Sequence, residues 1–210
     1  MAVFPAAGKA IAAKKLAQRE VLWPGSSHWL WHRSANKGFA TIPKTMPLIL
    51  QIMDDLSKGT PVSSTYLGLW CDTWDNSMVS VSKHREMAHA AGFTGQRATY
   101  TWGTRMYLLQ KLRFIDIKPG TSGEISHVIL WNPHWVIRWH HEQKTPGMVE
   151  ANFNALLDRA VDIGAKDMTD SIVEPATSVP ASPAVEPPAP TVTASTETAD
   201  LSAASAKVDA

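Results

Sequence analysis

The chain has 210 residues with 20 Lys+Arg and 19 Asp+Glu, and its formal net charge of +1 conceals two unlike parts. From Thr169 onward Lys207 stands against Asp170, Glu174, Glu186, Glu197, Asp200 and Asp209, a net of −5, which leaves the first 168 residues at +6. The lone Cys71 excludes an intramolecular disulfide framework and a Cys-rich zinc site, and no apolar run nears the ~18 residues that span a bilayer.

Residues 1–38 read as a basic, aromatic arm. Gly8 to Glu20, rich in Ala, Lys and Gln, predicts a short helix carrying Lys9, Lys14, Lys15 and Arg19, stopped by Trp23-Pro24-Gly25. Lys9 interrupts the apolar stretch that a secretory signal would need, so a soluble, cytoplasmic protein is expected. The phrase HWLWHRSANKGF follows, with Asn36 and Gly38 as turn residues.

Thr45 is placed to cap a helix whose first turn holds Pro47 and whose apolar positions are Leu48, Ile49, Ile52, Met53 and Leu56. Lys58 and Gly59 end it. A second helix is expected from Ser63 to Trp74, with Tyr66, Leu67, Trp70 and Cys71 inward, Cys71 as a small buried hydrophobe. Asp75 and Asn76 turn the chain into MVSV, a stretch of strand character. Ser82 starts a third helix with Met87, Ala90 and Ala91 inward, ended by Gly92. After a turn at Phe93-Thr94-Gly95, a fourth helix runs from Gln96 to Leu112 with Ala98, Trp102, Met106, Leu109 and Leu112 on one face. Ile115 to Lys118 and Ile125 to Trp131 flank Pro-Gly-Thr-Ser-Gly, a hairpin signal.

Asn132-Pro133 is a helix-start pair for HWVIRWHHEQ. Beyond Pro146-Gly147, residues 147–168 hold an amphipathic helix with Phe153, Leu156, Leu157, Ala160 and Val161 on its stripe. That stripe needs an apolar partner, either a second copy in a homodimer or the chain's own body. Residues 169–210 hold 6 of the 14 Pro and none of the 9 Trp, 5 Phe or 3 Tyr, so disorder is expected there. Trp70, Trp74, Trp102 and Trp131 are expected in the core, and Trp29, Trp31, Trp135 and Trp139 in the core or on a partner surface.

Catalytic signatures are missing from this pattern. There is no Gly-x-Ser-x-Gly elbow, phosphate loop or dinucleotide fingerprint. His28 and His32 lie four apart without a third ligand nearby, and adjacent Trp29 and Trp31 imply packing. His140-His141 do not share a helix face, and HREMAH departs from HExxH. The chain is expected to be no enzyme and to need no metal or cofactor.

The stretch Val79 to Pro133 resembles the winged helix-turn-helix DNA-binding family. "SKHREMAHAAGFTGQRATYTW" looks like its scaffold helix, Gly-containing turn and recognition helix. "LQKLRFIDIKPGTSGEISHVILWNP" looks like the helix end and the wing, with Leu109, Leu112 and Ile115 in the family's Leu-x-x-Leu-x-x-Ile spacing. "ILWNPHWVI" is similar to segments of bacterial plasmid-replication and regulatory winged-helix proteins. The resemblance implies a mainly α fold with a small β-hairpin wing over residues 39–146. It also implies double-stranded DNA as the partner, in transcriptional regulation or plasmid replication and maintenance. A recognition helix fits the major groove, where Gln suits adenine and Arg suits guanine. The implied DNA-binding residues are Thr94, Gln96, Arg97, Thr99, Tyr100 and Arg105, with Lys118 and Ser122 on the wing. Winged-helix regulators often dimerise through an added terminal helix, which residues 147–168 supply. The alternative is a winged-helix protein-interaction module with an aromatic contact surface and no DNA binding.

Overall fold

The computed structural model describes residues 6–170 except Trp74. The core position expected for Trp74 and nearly all of the tail expected to be disordered lie outside the described residues. The elements are α1 (Ala6–Leu22), a 3-10 turn (Ser26–Trp29), α2 (Met46–Leu56), α3 (Ser63–Asp72), β1 (Met78–Ser80), α4 (His84–Ala90), α5 (Ala98–Lys111), β2 (Ile115–Gly120), β3 (Gly123–Leu130), α6 (Pro133–Glu142) and α7 (Glu150–Asp162). The fold is mainly helical with one small antiparallel sheet, an arrangement compatible with a winged helix.

Met46, Ile49, Ile52, Met53 and Leu56 recur at helical spacing, and α2 buries all five. Thr45 does not cap it through its side chain. Its backbone is already helical, and its hydroxyl is 2.9 Å from His134 Nε2. The far end of α2 instead caps its neighbour. Asp54 Oδ1 accepts from the N–H groups of Val62 at 2.7 Å and Ser63 at 2.9 Å, two donors that the start of α3 leaves unpaired.

Helix α3 stops at Asp72, short of the expected Trp74, and turns Thr65, Tyr66 and Leu69 into the core. Cys71 is exposed, contrary to expectation, because two residues beyond Leu69 it has swung ~200° round the helix. Ser82 does not begin α4, since the Val81 N–H donates to the Ser126 carbonyl at 2.8 Å and keeps the chain extended. On the short α4, Ala88 is buried and Ala90 exposed.

The expected two-stranded hairpin is one part of a three-stranded sheet in the order β1-β3-β2. Val79 and Ile117 both pair with Val128, and these three side chains share the buried face. The register shifts between Lys118 and Gly120. Pro119, which has no N–H to give a ladder, occupies that shift.

Helix α4 ends in a Schellman motif. The Phe93 N–H reaches the Ala88 carbonyl and the Gly92 N–H the His89 carbonyl, both at 2.9 Å. This closure needs φ of 90° at Gly92, a conformation costly for any side chain. The turn holds α4 against α5, which packs on α3 and β2 through Trp102, Met106 and Leu109. Tyr66 and Phe114 meet edge to face at 6.1 Å beside them.

Asn132 caps α6 as expected, its side-chain oxygen accepting from the His134 N–H at 3.0 Å. Trp131, expected in the core, is 43% exposed, because Leu130 takes the inward position at the end of β3. Trp70 and Trp139 are half-buried, and Trp135 is exposed. Helix α7 lies on α2 of the same chain. Asn152 bonds Gln51 and Asp55, Leu156 and Ala160 are buried, and Val161 is exposed. The chain's own body thus buries Leu156 and Ala160 of the stripe in residues 147–168 and partly covers Phe153 and Leu157, while Val161 stays exposed. The chain reaches α7 through Gly147, where φ is 107° and an added Cβ would meet the Asp55 carbonyl at 2.8 Å.

Candidate nucleic-acid interface

Helix α5 has two faces set by its period. Trp102, Met106 and Leu109 point to the core, and Arg97, Tyr100, Thr104, Tyr107 and Lys111, spaced three and four apart, form the opposite, exposed stripe. Tyr100 is 77% and Tyr107 48% exposed. No Asp or Glu occurs between Glu86 and Asp116, whereas Arg97, Arg105, Lys111 and Arg113 all fall in that interval. The helix therefore presents cations and phenol rings without an opposing carboxylate of its own.

The site residues implied by the resemblance divide into three groups. Thr94, Gln96, Arg97, Thr99 and Tyr100 are all exposed and gathered at the start of α5. The helix begins at Ala98, so Gln96 belongs to the preceding turn and Arg97 holds the N-cap position with no side-chain cap bond. Arg105 is separated from this group. It flanks the buried face, is half-buried, and its Nε is shielded from solvent with no hydrogen-bond partner. On the hairpin, Lys118 Nζ is 3.1 Å from Asp116 Oδ2, so its charge is partly answered. Burial pushes the Asp116 carboxyl up, but hydrogen bonds from Gln110, Lys118 and the Ile117 N–H outweigh it and hold the group below the usual range. Ser122 is half-buried at the hairpin tip, where its N–H donates to Ser126 Oγ at 3.1 Å.

Sequence reasoning missed Thr104, Tyr107 and Lys111. Continuing the spacing of three and four from Arg97 would have reached each of them. It also missed Arg113, which leaves α5 in the left-handed region at φ 63° with its guanidinium 4.3 Å from the centre of the Trp139 ring.

A second site lies elsewhere in the body. A cavity of about 370 Å³ is lined by Lys44, Thr45, Trp70, Trp131, His134 and Asp167 among others. Thr45 Oγ1 meets His134 Nε2 at 2.9 Å, and His134 Nδ1 lies 3.6 Å from Asp167 Oδ2, which also accepts from Asn132 Nδ2 at 2.9 Å. Hydroxyl, imidazole and carboxylate thus stand in the order of a nucleophile relay. The backbone N–H groups that follow Thr45 offer no oxyanion site. The N–H groups of Met46, Leu48 and Ile49 are bonded to carbonyls, and Pro47 has none. Burial lowers the His134 pKa, and Asp167 only partly opposes this. These contacts join α2, α6 and the segment after α7. Among the described residues no three His, Cys, Asp or Glu side chains are placed to share a metal ion, and no helix is long and apolar enough to cross a membrane.

No protein-family model, curated protein or solved structure matches the chain.

Proposed function

We propose that this is a winged helix-turn-helix protein that binds double-stranded DNA through α5 and acts in the bacterial cytoplasm, in transcriptional regulation or plasmid replication and maintenance. The observation that carries the reading is the exposed stripe of Arg97, Tyr100, Thr104, Tyr107 and Lys111, free of its own carboxylates and backed by α4 across the Gly92 turn. A B-DNA major groove admits one such helix. Arg97 and Gln96 at its start are the base-reading groups. Thr94, Thr99, Tyr100 and Lys111 are suited to phosphates, with Lys118 and Ser122 supplying a weak wing contact. The protein acts by binding, without a catalytic group or cofactor.

Titrating the full chain with labelled random-sequence duplex at several salt concentrations tests this. Each phosphate contact adds about 0.9 to the logarithmic salt slope. Lys111→Ala should reduce the slope by about one unit. Arg97→Ala should weaken selected sites by roughly 5- to 150-fold and flatten their base preference. Folded protein that binds no duplex at low salt ends the DNA reading. A second reading, a winged-helix protein-interaction module, is favoured by the two exposed tyrosines and by the pairing of Lys118 with Asp116. Under it, Tyr107→Ala abolishes partner capture and no duplex is bound.

A further inference from the structure

We infer that the arm between Trp23 and Phe39 is a stacking surface for single-stranded nucleic acid, separate from the duplex-binding stripe on α5. Trp23, Trp29, Trp31 and Phe39 are all exposed, Trp29 at 83%. The display is built by the arm itself. His32 Nε2 donates to the Ser27 carbonyl at 2.9 Å, Asn36 Nδ2 to the His32 carbonyl at 2.8 Å, and the Gly25 N–H to Glu20 Oε1 at 2.8 Å. The rings then arrange one another. His28 lies 5.1 Å from Trp29 at 46°, and Trp31 meets Phe39 edge to face at 6.1 Å. Arg33 sits 4.7 Å above the Phe39 ring.

Charge selects the occupant. No Asp or Glu occurs between Glu20 and Asp54, while Arg33, Lys37 and Lys44 lie in that interval beside His28 and His32. Flat rings interleaved with cations match a chain of phosphates bearing open base faces. A duplex hides those faces in its stack, so the fit is to unpaired strands. An anionic membrane fits less well. Along α1 the continuous apolar stripe is Ala10, Ala13, Ala17 and Val21, which is too small to anchor in lipid, while the bulkier Ile11, Leu16 and Leu22 fall among Lys9, Lys14, Lys15 and Arg19. A second copy would bring two cationic arms together. The acidic residues 169–210 answer the charge but offer no ring to stack.

The test uses the full chain with fluorescent oligo(dT) of about 15 nucleotides. Anisotropy should show salt-dependent binding, and Trp29→Leu and Trp31→Leu should each weaken it roughly tenfold. Trp29→Phe should restore it, and thermal unfolding should be unchanged in all three. Arg97→Ala and Lys111→Ala should leave oligo(dT) binding intact while weakening duplex binding, so each surface can fail alone. The inference is overturned if oligo(dT) does not bind at low salt, or if both Leu variants bind it as the parent does. It is equally overturned if oligo(dT) goes unbound while the same variants lose binding to phosphatidylserine vesicles or lose self-association in sedimentation.

Discussion

The arm before Phe39 and the body after Thr45 use tryptophan in opposite ways. Trp102 is 1% exposed, closed in by α3, the sheet and His84 at 5.9 Å, whereas Trp29 is 83% exposed and touches His28 of its own turn. The side chain is the same, so what differs is the company. The body places apolar residues at helical spacing on several elements that meet. The arm places its rings along a short segment in which no described residue is buried. Burial follows from the meeting of elements, and an aromatic residue alone does not secure it.

The largest expected effect tests this contrast directly. Trp102→Ala removes a fully buried ring and should cost about 3–5 kcal/mol in denaturant unfolding. Trp29→Ala should stay within ~0.5 kcal/mol of the parent. A comparable loss for both would show that the arm packs against something in the free protein.

A loss of about 2–5 kcal/mol is expected for Leu156→Ala, which empties a fully buried position between α7 and α2. It should appear in unfolding at every protein concentration. A stability that rises with concentration would instead return α7 to a role between copies.

How far these features were legible follows the same division. The positions of α2, α5, the hairpin and α6 could be read because local pattern and tertiary demand agree there. Ile49, Ile52 and Met53 recur at helical spacing, Asn132-Pro133 starts α6, and Pro119-Gly120 precedes the hairpin tip. Long-range partners could not be read. Asp54 caps a helix eight and nine residues away, His134 takes the Thr45 hydroxyl across 89 positions, and β1 joins β3 rather than its sequence neighbour β2. Of the candidate interface, the start of α5 was legible from its turn and exposed polar residues. Tyr107 and Lys111 lie further along the same stripe and are reached only by continuing its spacing of three and four. Arg105 looked like an exposed cation on type alone, while its angular position carries it toward the core.

A smaller effect separates the regions by pH. His134 and His140 both belong to the body, and burial lowers both pKa values below the ordinary 6.5. His140 is held on both sides, with Nε2 donating to the Leu112 carbonyl at 2.8 Å and Nδ1 accepting from the Thr145 hydroxyl at 3.0 Å. The Leu112 bond favours the charged ring, while nearby Arg113 adds to the lowering. Folded protein therefore binds fewer protons than unfolded protein below about pH 6.5, so stability declines as pH falls through that value and levels off above it. Thermal unfolding at pH 7 and pH 5 should show the decline, and His140→Asn should reduce its slope. A slope that persists when both rings are replaced would move the effect to the carboxylates.

The smallest effect concerns where each region holds unfavourable backbone. In the arm the positive-φ positions are Gly25 and Gly38, whereas the body also places Lys58, Ser77, Arg113 and Lys144 there. Arg113 closes α5 as a Schellman residue, with its N–H on the Gln110 carbonyl and that of Phe114 on the Leu109 carbonyl. The buried Phe114 next to it fixes the conformation from outside. Arg113→Ala and Arg113→Gly both lose the contact with Trp139, worth about 0.5–1 kcal/mol at an exposed site. Only the glycine removes the Cβ that makes φ of 63° costly. The glycine variant should therefore be more stable than the alanine variant by about 1 kcal/mol in paired denaturant titrations. Equal stabilities would mean that the alanine variant relaxes out of the left-handed region, and that Phe114 does not hold the turn as its burial implies.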